Sequence, residues 1–128
     1  MIAIGMGANS LAHPEDFSAA LAAVSREAGG CHEVATLGTA AFAVHVQAAA
    51  LKAGVSFRPW MLIALRERSR DCVTRSERSL SLYGVTSIAE AAALVSAGPG
   101  SHLVIPRRVI GNITIAAAQS APRGERPK

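Results

Sequence analysis

Aromatic residues are scarce in this chain: one Trp, one Tyr and three Phe in 128 residues. With apolar residues at 50% of the total, the core must be built from Ala, Val, Leu and Ile. The scattered rings form no stacking platform and no RNA-binding motif surrounds them, so nucleic acid is not an expected partner. Cys31 and Cys72 are isolated and form no C-x-x-C pair, the usage of free thiols in a reducing compartment rather than of a disulfide framework. His13, His32, His45 and His102 are solitary. None lies at the i, i+3 or i, i+4 spacing of zinc ligands, so no metal is expected. The N-terminus has no basic n-region, and no apolar run is long enough for a signal peptide or a membrane span. A cytoplasmic protein without membrane contact is the expectation. There is no P-loop, no G-x-S-x-G elbow and no carboxylate pair.

The most ordered stretch runs over residues 84–118, GVTSIAEAAALVSAGPGSHLVIPRRVIGNITIAAA. Ser87 stands where an N-cap belongs, and Glu90 follows at the position of its capping-box partner. Ile88, Ala91, Ala92 and Val95 recur with helical period, and the intervening Ala and Leu94 leave little polar surface. This helix must be well buried, and its short side chains suit close approach to a neighbour. Gly98 and Pro99 end it. A strand over 102–105, the triplet Pro106-Arg107-Arg108 and a strand over 112–117 follow, each strand the natural partner of the other.

Earlier in the chain, residues 2–6 read as a first, central strand. Gly5-Met6-Gly7-Ala8-Asn9-Ser10 is a partial match to a dinucleotide fingerprint, with Ser10 in place of the third glycine, and reads as a tight strand-end turn. Pro14, Glu15 and Asp16 open a helix whose core face is Phe17, Ala20, Leu21, Val24 and Ala28. A strand over 33–37 precedes an alanine-rich helix over 40–53 with Val44, Ala48 and Leu51 on its buried side. A third strand over 55–57 leads into a short helix over 60–68. Residues 69–82 read as an arginine-rich loop with one short helical turn at most. The strand and helix alternation is that of right-handed crossovers on a parallel sheet. One domain over 1–118 is expected, with a disordered tail over 119–128.

The formal net charge is +4, and arginine supplies most of the excess. Arg58, Arg66, Arg68, Arg70, Arg75 and Arg78 cluster in one region against Glu67, Asp71 and Glu77. Such a cluster favours an anionic partner bearing carboxylates or phosphates, the plainer reading being a solvated cationic face. Arg107 and Arg108 point to opposite faces if their strand runs on, and project together if Pro106 breaks it. Glu90 is a conceivable acid or base, although capping already accounts for it.

The segments GVTSIAEAAALVSAG, LVIPRR and NITIAAA resemble the C-terminal signature of the CobE and CbiG C-terminal domain family of cobalamin (vitamin B12) biosynthesis proteins. The resemblance extends more loosely over residues 1–118, with Gly5 and Gly7 at the family's opening G-x-G, Thr36 in its second strand and the Thr74-x-Ser76 pair before the helix. It implies a three-layer α/β/α domain with a mostly parallel sheet and a C-terminal strand pair. It further implies a precorrin or corrinoid tetrapyrrole as ligand, held by Gly5, Gly7, Thr74, Ser76 and Arg107 or Arg108, with no cofactor and with other corrin-pathway enzymes as further partners. The alternative is hydrolysis of the ring-A lactone of cobalt-precorrin-5A, as in CbiG, with Glu90 or His45 as base. This chain carries Ala8 and Asn9 where CbiG proteins usually have Cys and a basic residue, and a stretch over 39–50 without charge. A group that activates water is therefore not evident. A third reading is a docking module for another pathway enzyme.

Overall fold

The computed structural model describes residues 1–122. Five strands form one mixed sheet of order β3-β2-β1-β5-β4, with β1 Ile2–Ala8, β2 Glu33–Leu37, β3 Ser56–Trp60, β4 His102–Ile110 and β5 Ile113–Gln119. β1, β2 and β3 are parallel. β5 runs antiparallel to β1 and pairs with β4 in a hairpin closed by Gly111 and Asn112. The helices are α1 Pro14–Ala28, α2 Ala43–Ala53, α3 Leu62–Glu67, α4 Glu77–Tyr83 and α5 Ile88–Ala97.

The period-2 alternation of the strands divides the core by residue size. Ile4, Met6, Val34, Ile115 and Ala117 pack with Phe17, Leu21 and Val24 of α1 and Val46, Ala49 and Ala50 of α2. Most side chains of the other parity are small: Ala3 and Ala118 meet Ala93, Leu94 and Ala97 of α5, and Ala35 meets Ala91 and Ala92, with Leu37 the larger exception. Helix α5 lies close because both surfaces are nearly bare. A Cβ at Gly5 would collide with the Ala89 carbonyl oxygen and sit 2.6 Å from the Ala93 nitrogen.

Several expectations are corrected here. Gly5 and Gly7 lie inside β1, which runs on to Ala8, and not in a turn. They belong to the surface that receives α5. Helix α2 begins at Ala43, and Val44, Ala48 and Leu51 are on its exposed side; Val44 and Leu51 are 61% and 81% exposed. With alanine on all sides and no charge before Lys52, the sequence sets no helical phase, and Phe42, Val46, Ala49 and Ala50 take the core side instead. Ala28 is only half-buried.

β3 extends through Pro59 to Trp60, where a helix start was expected. An edge strand tolerates proline because one side of it needs no N–H. Residues 69–82 are more ordered than expected, with a 3-10 turn over Ser69–Asp71 and helix α4, capped by Ser76 Oγ accepting from Ser79 N at 3.2 Å. β4 does not stop at Ile105 but continues through Pro106, Arg107 and Arg108. At the C-terminus, Gln119 is still paired in β5, Ser120 N donates to Met1 O at 2.9 Å and Ser120 Oγ to Ala97 O at 2.8 Å. The rest of the expected tail, residues 123–128, lies outside the described residues.

Candidate functional site

A cleft of about 260 Å³ opens beyond the C-terminal end of β1, the place where open α/β sheets commonly receive ligands. Gly7, Ala8 and Asn9 form its floor with Thr114 of β5. One wall is α4, with Ser76, Arg78, Ser79, Leu82 and Tyr83, and the other is the hairpin, with Arg107, Val109 and Asn112. The start of α5 and the ring of Phe42 complete it. Asn9 and Asn112 are joined by a side-chain hydrogen bond of 3.0 Å and a main-chain bond of 3.2 Å, which fixes the end of β1 to the hairpin. Among the described residues no carboxylate lines the cleft, and neither Arg78 nor Arg107 is ion-paired.

Two bulges interrupt β4: Leu103 pairs with Ala118 and Ile105 with Ala117, so the first leaves Val104 as an extra residue. Ile105 pairs with Ala117 and Arg108 with Ile115, three steps along β4 against two along β5. This second extra residue restores the alternation that the first had reversed. Arg108 thereby shares the α1 face with Ile105 and forms an ion pair with Glu27, while Arg107 faces the cleft with Val109. Chiefly through its hydrogen bond to Arg108, the Glu27 carboxyl is held below its ordinary value.

Of the residues singled out from the sequence, Gly7, Ser76 and Arg107 come together in this cleft. Gly5 is covered by α5, and Thr74 is bonded to Glu90. Glu90 is not the reciprocal half of a capping box. Ser87 Oγ does accept from Glu90 N at 3.2 Å, but the buried Glu90 carboxylate turns away to Val73, Thr74 and Arg107. Local spacing does not reveal such long-range donors. His45 lies elsewhere, its ring against Phe17 of α1 at 5.7 Å.

The arginine cluster is largely committed to structure. Arg68 donates from Nη1 to Leu94 O, Gly98 O and Ser101 Oγ and from Nη2 to Ser101 O, closing the C-terminal end of α5. Arg66 donates to Tyr83 O at 2.9 Å, Arg75 pairs with Glu77, and Arg58 lies over the Trp60 ring. Arg78 alone of the cluster lines the cleft. Composition does not separate it from its neighbours, although Ser76-Glu77 is a helix-start signal that places Arg78 in a first turn.

Cys72 sits beside Ser87 and Thr86, and burial pushes its thiol up to about 11. Among the described residues no group of three or more His, Cys, Asp or Glu is placed to hold a metal ion, and no single helix is long and apolar enough to cross a membrane.

These features define a mixed α/β domain with a cationic cleft at its strand ends. The chain matches the family described as Cobalamin synthesis G C-terminus over residues 2–118, and it belongs to that family of cobalamin biosynthesis proteins. Among solved structures it is similar to CobE, a protein from the cobalamin (vitamin B12) biosynthetic pathway, with 21% identity over 92% of each chain and a TM-score of 0.82. It is also similar to the cobalamin biosynthesis protein chiG from Agrobacterium tumefaciens strain C58, with 31% identity, a TM-score of 0.76 and coverage of 95% of this chain and 100% of that one. No curated protein matches it.

Proposed function

We propose that this domain binds a carboxylate-bearing tetrapyrrole intermediate of cobalamin biosynthesis in the cleft between α4 and the β4–β5 hairpin. The observation that carries the reading is the lining itself: Phe42, Leu82, Ile88 and Val109 supply apolar surface, Arg78 and Arg107 stand among them, and among the described residues no carboxylate pairs with either or lines the cleft. A corrin precursor presents acetate and propionate groups around an apolar ring, and an arginine fork matches a carboxylate with two parallel hydrogen bonds. The cleft falls just below the roughly 300–1,000 Å³ of sites that enclose a drug-sized ligand. We therefore read it as receiving one edge of the macrocycle, with the rest of the ring outside. The division of the core between α1 and α2 on one side and α5 on the other supports a three-layer arrangement with the cleft at its end.

We read binding rather than lactone hydrolysis as the role. Hydrolysis needs a group free to activate water, whereas both oxygens of Glu90 already accept from protein donors and His45 does not line the cleft. A visible-absorbance titration with precorrin and hydrogenobyrinic-type intermediates tests this. The expected result is a saturable spectral shift that Arg107→Ala weakens by about 10- to 100-fold, as for loss of one charge-assisted contact. Absence of a shift with every intermediate overturns the binding reading and favours a docking module. Acetaldehyde release at substrate turnover supports the hydrolase.

A further inference from the structure

Among the described residues Glu90 is the one acidic residue in the buried core, and binding at the cleft gives it no direct part. It projects from the first turn of α5 and is 0% exposed. Its Oε1 accepts from the Val73 and Thr74 N–H groups, both at 2.9 Å. Its Oε2 accepts from Thr74 Oγ1 at 2.9 Å and from Arg107 N at 2.8 Å.

The donors come from two distant segments. Val73 and Thr74 run directly into Ser76, the cap of α4, whose first turns carry Arg78 and Ser79 along one wall of the cleft. The Arg107 N–H belongs to the second β4 bulge, and the Arg107 side chain lines the cleft from the other wall. A bulge residue is left out of the ladder and must find an acceptor elsewhere. Only a carboxylate offers acceptors at both oxygens, since an amide would set its own N–H donors against one pair of these groups.

We propose that Glu90 is a positioning residue of the cleft: its carboxylate clamps the Val73–Thr74 corner to the Arg107 bulge, so that Arg78 and Arg107 are presented to one anionic ligand. The ligand in this statement rests on the tetrapyrrole-binding reading above, whereas the clamp itself does not. The test compares Glu90→Gln and Thr74→Ala with the parent chain by amide hydrogen exchange and by titration with the same intermediates.

Glu90→Gln is expected to speed exchange at Val73, Thr74 and Arg107 by about tenfold or more while amides at the centre of β1 and β5 keep their protection. It should also weaken ligand binding about tenfold with the Arg107 side chain still present. Thr74→Ala, which removes one of the four bonds, should move both readouts the same way and less far. It decides the question alone if Glu90→Gln does not fold. Unchanged exchange at Arg107, binding equal to the parent, or loss of protection spread evenly over the sheet each overturns the proposal. Selective loss of protection in a protein that binds no intermediate upholds the clamp and removes the tetrapyrrole reading.

Discussion

Gly5 of β1 lies directly beneath the carbonyl of Ala89 on α5, with no room between them for a side-chain carbon. The obstructing atoms are backbone, which cannot rotate away, so Gly5→Ala must lift the helix from the sheet. Overpacking of this kind is expected to cost about 3 kcal/mol or more. Gly7→Ala should cost about 1 kcal/mol, because the nearest atom is the Thr114 hydroxyl at 2.7 Å and a side chain can turn. Urea midpoints of the two variants, at equal m-values, check the contrast.

Arg68 closes the end of α5 through four hydrogen bonds, and its side chain is 19% exposed. Arg68→Ala leaves the Leu94 and Gly98 carbonyls with fewer partners and removes the donor to the Ser101 carbonyl. A loss of about 2–4 kcal/mol is expected. Arg68→Lys should recover only part of it, since a point charge cannot reproduce a fork that spans several acceptors. Thermal melts of the two variants measure this.

Helix α2 offers a test of its phase. Val46→Ala removes methyl groups from a fully buried position and should cost about 1–3 kcal/mol. Val44→Ser and Leu51→Gln alter the exposed side and should change stability by no more than about 0.5 kcal/mol in the monomer. Denaturant titration of each variant is sufficient.

The Glu27 and Arg108 pair spans α1 and β4 at the surface. Because the folded carboxyl titrates below its ordinary 4.5, its contribution is present above that value and is lost as pH falls through the lowered folded pKa. Glu27→Gln should therefore differ from the parent chain at pH 7 and converge with it in acid. The difference should also shrink at high salt, as the pair is solvent-exposed. Arg108→Ala is expected to leave ligand affinity unchanged, in contrast to Arg107→Ala.

The Cys72 thiol, raised by burial to about 11, should react slowly with iodoacetamide at pH 8, where little thiolate forms. In the unfolded chain the thiol ionises near 9. Stability is thus retained below pH 9 and falls as pH rises between 9 and 11. Alkylation rates followed by mass spectrometry, with and without urea, check the first statement, and melts across that pH range check the second.

Much of the fold was legible wherever a local signal had a single outcome. Pro14 with two acids marked the start of α1, Ser87 and Gly98 bracketed α5, and the 33–37 strand was placed at its observed bounds. The signal failed where the chain was chemically monotonous or where an edge relaxed a rule. Alanine on every side of α2 left its phase open, and the strands expected to end before Pro59 and Pro106 run through them because both are edge strands. Half of the candidate ligand set lies outside the cleft for the same kind of reason. Gly5, Thr74 and Arg108 are spent on packing, on Glu90 and on Glu27, contacts between residues far apart in the chain.

By itself the sequence determined a mixed α/β domain, its family and a cationic character without an aromatic binding platform, because periodicity, caps and composition are properties of neighbouring residues. Only the tertiary structure decided that Arg107 and not Arg108 faces the cleft and that Glu90 clamps two segments instead of capping its own helix. It also decided that Arg78 is the arginine of its cluster that reaches the cleft. These outcomes depend on two bulges in a strand ladder and on donors brought together from distant segments, and neither is encoded in local spacing.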